Sequence, residues 1–112
     1  MNRLEPTNVF SEIGKRSHES CVVHGFSDTI QDDSKMLLLI HAEISEAAEW
    51  LRKGNPKSDH IPEFSGIEEE LADAVIRICN YAYAKGFKLS EAISSKMEFN
   101  DTREYKHGGK LF

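Results

Sequence analysis

The sequence lacks long apolar runs, an excess of basic residues and any cysteine-rich pattern, and each lack narrows what the chain can be. Its longest unbroken apolar run is Met36 to Ile40, far short of the roughly 20 residues that span a bilayer. The N-terminus also lacks the basic-then-apolar order of a secretory signal. No membrane partner is expected, and a cytoplasmic setting is. Lysine and arginine total 14 against 19 aspartates and glutamates, a formal net charge of -5, which is the wrong sign for a general nucleic-acid binder. Cys21 and Cys79 are the only cysteines, with no CxxC. They read as reduced thiols inside helices rather than as a disulfide or a zinc site. Period-two alternation does not persist beyond a few residues, and no internal repeat is present.

What is present is helical periodicity. Pro6 and Thr7 start a helix predicted over Asn8 to Val23, with Val9, Phe10, Ile13, Cys21 and Val22 inward and Gly25 as its stop. Asp32 or Asp33 caps a second helix over about Ser34 to Lys53, which closes at Gly54. From Gly54 to Gly66 the chain is polar and broken by Pro56 and Pro62, a loop able to cover a nearby site. Ser65-Gly66-Ile67-Glu68 has the capping-box pattern, so a third helix runs from near Gly66 to Lys85, ended by Gly86. A fourth begins at Leu89 or Ser90 and turns Leu89, Ile93 and Met97 inward, and residues 104–112 form a flexible tail. The fold class expected is all-α, one four-helix bundle-like domain over residues 1–112.

Two acidic pairs stand out, Glu43 with Glu46 and Glu70 with Asp73, each spaced i, i+3 and therefore sharing a helix face. At about 100° per residue, with Ile40 at zero, Met36, Ile40, Ile44, Ala47 and Leu51 form an apolar stripe while Glu43 and Glu46 fall at about 300° and about 240°. With Ile67 at zero, Leu71, Ala74, Ile78 and Tyr81 form the corresponding stripe, and Glu70 and Asp73 again fall at about 300° and about 240°. Glu49, at about 180° by the same count, sits where a merely solvated acid belongs. Carboxylates beside a core are costly unless paired or bound to a cation, so the matching phase predicts a shared oxygen-rich site. Hard oxygen donors of this kind favour Mg2+, with Mn2+ as a substitute. A carboxylate-bridged di-iron bundle needs Glu-x-x-His on two helices, and neither Glu43 nor Glu70 has a histidine three residues on. Arg77, one turn after Asp73, is placed to pair with it or with a phosphate. Lys96, Asn100 and Arg103 follow at i, i+4, i+7 as a polar, partly cationic stripe suited to a polyphosphate.

Three segments carry a family likeness: His41-Ala42-Glu43-Ile44-Ser45-Glu46-Ala47-Ala48-Glu49, Glu69-Glu70-Leu71-Ala72-Asp73-Ala74-Val75-Ile76 and Lys96-Met97-Glu98-Phe99-Asn100-Asp101-Thr102-Arg103. In this order they resemble the motifs of the MazG-like, all-α nucleoside triphosphate pyrophosphohydrolases, over most of the chain from about His24 to His107. The resemblance implies a helical dimer or tetramer that converts an NTP or dNTP to the monophosphate and pyrophosphate with Mg2+. It implies metal ligation by Glu43, Glu46, Glu70 and Asp73, and phosphate contacts from Lys96, Asn100 and Arg103. His24, Phe26 and Trp50 are aromatic candidates for the base, each equally able to serve as packing. Ile76 and Tyr83 fall opposite the third helix's stripe, and a homodimer is the simplest way to bury them. The other class in view is a non-catalytic helical dimer or metal-binding regulatory module.

Overall fold

Local chemistry sets most of the helix ends. The computed structural model describes residues 9–24 and 32–103, and within them are α1 (Val9–Val23), α2 (Asp33–Arg52), α3 (Gly66–Lys85) and α4 (Leu89–Asp101). Asp32 caps α2 by accepting from the Lys35 N–H. Ser65 and Glu68 close a reciprocal capping box at α3, satisfying two backbone donors that the first turn leaves free. Gly86 ends α3 in the left-handed conformation, φ 73°, which glycine adopts without steric cost. Among the described residues there is no strand, only an isolated bridge between Lys57 and Ser65. No described helix is long and apolar enough to cross a membrane. Phe26, His107 and the stretch 104–112 lie outside the described residues.

The helices pack together with α3 in the middle, α2 and α1 each lying along it and α4 resting on α1. Two sets of α3 residues show why both neighbours fit. Gly66, Glu70 and Arg77 meet α2, through Trp50 and Glu43. Cys79 and Tyr83 meet α1 at Gly14, where an added Cβ would lie 2.7 Å from the Tyr83 Cβ and collide with the Cys79 carbonyl. Gly14 thus lets α1 approach α3 closely at Cys79 and Tyr83, a role its mid-helix position left unread.

Which face of α2 is buried differs from the apolar stripe read off the wheel. Ile44 is 50% exposed and Leu51 65%, whereas Glu43 is only 8% exposed and Ala47 is buried. The helix has rolled by about 60° toward its acids, so the seam with α3 is built on Glu43, Ala47 and the half-buried Trp50. The roll is tolerated because α3 supplies partners for the acid face, described below. Serine likewise replaces methionine in the packing of α4: Ser90 and Ser94 are buried, and Met97, expected inward, is exposed. On α1, Val9 and Val22 are exposed rather than inward.

The α2–α3 pair is tied at both ends. At one end Tyr81 Oη donates to Asp33 Oδ1 at 2.8 Å and Lys85 Nζ lies 3.3 Å from the same oxygen. At the other, the loop over residues 53–65 is pinned to α3. Asn55 Oδ1 accepts from the Ile67 N–H at 2.9 Å, the Pro56 carbonyl accepts from the Gly66 N–H, and buried Ser58 donates to Glu69. His60 Nδ1 lies 2.7 Å from the second Glu69 oxygen.

Gly14→Ala should lower unfolding free energy by about 1–3 kcal/mol in urea titrations, the usual scale of overpacking, although alanine favours a helix interior by up to about 1 kcal/mol. Ser65→Ala should cost about 1 kcal/mol through loss of the α3 cap.

Candidate metal centre

The roll of α2 brings its acids to those of α3. One oxygen from each of Glu43, Glu46 and Glu70 lies within 4.8 Å of the others. Glu43 and Glu70 are buried in the seam while Glu46 is exposed at its rim. Asp73, one turn along α3, is half-buried beside this group and adds its charge to the field at Glu46. Three of the four predicted ligands are gathered together, with the fourth adjacent.

Each buried acid has a partner. Arg77 Nε donates to Glu43 Oε1 at 3.1 Å, reaching across to α2 rather than back to Asp73. The Trp50 indole N–H donates to Glu70 Oε2 at 2.9 Å. The Trp50 ring rests on Gly66, where any Cβ would overlap it, and the Lys53 ammonium lies over the ring at 5.6 Å. A shallow cleft of about 220 Å³, lined by Glu46, Glu49, Trp50, Lys53 and Glu70, opens beside the acids.

The crowding shows in the protonation of the cluster. Burial pushes the Glu43 carboxyl above the usual range, against the pull of Arg77, and a hydrogen bond shared with Glu70 adds to the rise. Glu46 is raised by loss of solvation and then by the charge of Glu70. Asp73 is raised by burial and then by Glu70 and Glu69. Glu69 moves the other way, held low by Ser58 and His60. Excess negative charge at one seam, only partly offset by one guanidinium, is the condition a hard divalent cation relieves.

The donor set fits such an ion. Magnesium takes oxygens at about 2.0–2.1 Å, so ligand atoms on opposite sides of it stand about 4.2 Å apart. Oxygens already within 4.8 Å of one another need only small side-chain shifts to meet that spacing. Glu43, Glu46 and Glu70 would hold the ion, with Asp73 in reach of the same region.

The residues expected at the substrate lie elsewhere or are otherwise engaged. Lys96 and Asn100 are exposed on α4 and Arg103 is exposed just past its end, and Lys96 Nζ and the Arg103 guanidinium sit over the Phe99 ring at 4.5 and 5.8 Å. The bonds described for the acids run to Arg77 and Trp50, on α3 and α2, and not to α4. His24 is exposed at the end of α1, its Nδ1 2.7 Å from the Ser20 carbonyl. Sequence reasoning missed Arg77 as the partner of Glu43. Its signal was available, since Arg77 falls at about 280° on the wheel, between the two α3 acids.

Comparisons of the chain with protein families, with curated proteins and with solved structures find no match.

The raised carboxyls set the pH dependence of stability. Glu43, Glu46 and Asp73 keep their protons to higher pH in the folded protein than in the unfolded chain. Stability is therefore lost as pH climbs from the ordinary carboxylate range, about 4, through the raised values. His60, raised by Glu69, acts in the same direction above about pH 6.5. Asp33, Glu68 and Glu69 are lowered and destabilise only when pH falls below the ordinary range. Metal-free protein should melt lower at pH 8 than at pH 5.5. Millimolar Mn2+ should raise the pH 8 melt, and Glu43→Gln should flatten the pH dependence; thermal scans of both proteins check this.

Proposed function

We propose that the chain is a Mg2+-dependent nucleotide pyrophosphohydrolase that cleaves an NTP or dNTP to the monophosphate and pyrophosphate, as its motif resemblance to the MazG-like enzymes implies. The observation that carries this reading is the meeting of Glu43, Glu46 and Glu70 at one buried seam. Acids placed by two helices at a cost in folding stability point to a ligand that repays them. Mn2+ substitutes for Mg2+ in such an oxygen site.

In this reading Glu43 and Glu70 are the buried ligands, fixed by Arg77 and Trp50. A cation held there supplies Lewis-acid charge to phosphate oxygens. Glu46, exposed at the rim and lining the cleft, would be the third ligand, and one carboxylate of the cluster would serve as general base for the attacking water. Lys96, Asn100 and Arg103 are the phosphate-binding residues that the resemblance implies, although α4 rests on α1 and the bonds of the acids run to Arg77 and Trp50. Base recognition falls to the cleft side of α2.

Assembly into a homodimer or homotetramer belongs to the same reading. Leu37, Ile44 and Leu51 repeat every seven residues on α2 and are exposed, as are Leu71 and Ile78 on α3. The wheel places both sets about 80–100° from the acid seam in the sense that, for antiparallel neighbours, turns them to one side of the pair. Two such faces bury each other under two-fold symmetry. Ile76 and Tyr83 are also part-exposed, but the far side of α3 that they were expected to offer a partner copy is where Tyr83 meets α1 at Gly14 and His18.

A second reading, a helical metal-binding module without turnover, draws on one observation: the bonds of the carboxylates do not include the α4 stripe. Turnover decides between them. Incubation with each ribo- and deoxynucleoside triphosphate and Mg2+ should release pyrophosphate and not orthophosphate for at least one substrate. Glu43→Gln and Glu70→Gln should each lower kcat/KM by about a hundredfold or more, the scale of losing one electrostatic partner of a transition state. A cation-induced rise in melting temperature with no turnover across the panel would favour the module. Light scattering should show a dimer or tetramer that Ile44→Glu, Leu51→Glu together dissociate.

A further inference from the structure

We propose that Trp50 is a positioning residue of the carboxylate cluster, acting through its indole N–H on Glu70 rather than as a stacking surface for a ligand. The inference rests on the reading that the cluster holds a divalent cation.

Three observations support it. Glu70 is only 8% exposed, so its carboxyl group needs fixed donors. The Trp50 Nε1–H supplies one at 2.9 Å to Oε2. A carboxylate has about four acceptor positions, and tying one of them fixes the rotation of the group and directs the others toward Glu43 and Glu46. Second, the ring is locked in place. One face rests on Gly66, and the Lys53 ammonium stands 5.6 Å from the ring centroid, so the plane of the indole is set by its surroundings while its N–H is held by Glu70. Third, Gly66 is the first residue of α3, four positions before Glu70, so the contact that seats the ring and the bond that orients the carboxylate fall on adjacent turns of one helix. The geometry explains a glycine at the start of a helix whose cap is already provided by Ser65.

Indirect partners of this kind typically change metal affinity by about 10–100-fold when removed. Trp50→Phe keeps a ring on Gly66 and removes only the donor. Calorimetric titration with Mg2+ should show affinity reduced about tenfold or more in this variant. Because Trp50 is the only tryptophan, emission from the unsubstituted protein should also change on Mg2+ addition, with the same midpoint as the calorimetric curve. Gly66→Ala, which pushes the indole off its seat while keeping its N–H, should weaken binding and reduce that emission change.

Equal Mg2+ affinity in Trp50→Phe, or calorimetric binding with unchanged emission in the unsubstituted protein, overturns the positioning role and leaves the cation site standing. Absence of any Mg2+ binding to the unsubstituted protein overturns the cation site and the positioning role together. If circular dichroism shows Trp50→Phe unfolded, the emission titration of the unsubstituted protein decides by itself.

Discussion

The structure depends on a buried seam between α2 and α3 where carboxylates face one another and are held by one guanidinium and one indole. An ordinary helix pair closes over leucine and isoleucine. Here Ile44 and Leu51 are turned outward and Glu43 inward, an inversion that stands only because Arg77 and Trp50 give the acids bonds that water would otherwise provide. The remaining features follow from that choice. Gly66 makes room for the indole, Ala47 is buried beside Glu43 on α2, and the displaced aliphatic residues become a surface.

Such a seam is poorly suited to mere structural duty. Apolar residues of similar volume are often equal or better stabilisers than a buried ion pair, and here several carboxylates share one arginine. The carboxyls of Glu43, Glu46 and Asp73 are raised first by burial and then by neighbouring acids. A divalent cation bound there, as proposed above, would relieve that crowding.

Helix existence was legible in the sequence because caps and stops act locally. Ser65 with Glu68 and Gly86 bound α3 at the residues their chemistry indicates, and Asp32 caps α2. The acid pairs were legible as well, since i, i+3 spacing on two helices with equal phase is a pattern in one dimension. What the sequence did not reveal was the rotation of α2. A helical wheel ranks residues by apolarity, and it cannot know that Arg77, 34 positions away, will neutralise Glu43. For the same reason the sequence left Trp50 as either a base candidate or packing, and did not show that its N–H is bonded to Glu70 and its ring rests on Gly66. Ser90 and Ser94 carry the buried side of α4 where Met97 was expected, because tight helix contact selects small residues over large ones.

The ties at the two ends of the α2–α3 pair constrain how the seam can respond to anything that enters it. Asp33 is gripped by Tyr81 and Lys85 at one extremity, while Asn55, Pro56 and Ser58 fasten the connecting loop at the other. Sliding or rolling of one helix along the other would have to rupture a terminal clasp. The part-buried loop contacts at Ser58 and Asn55 oppose such movement more than the exposed contacts of Asp33 do.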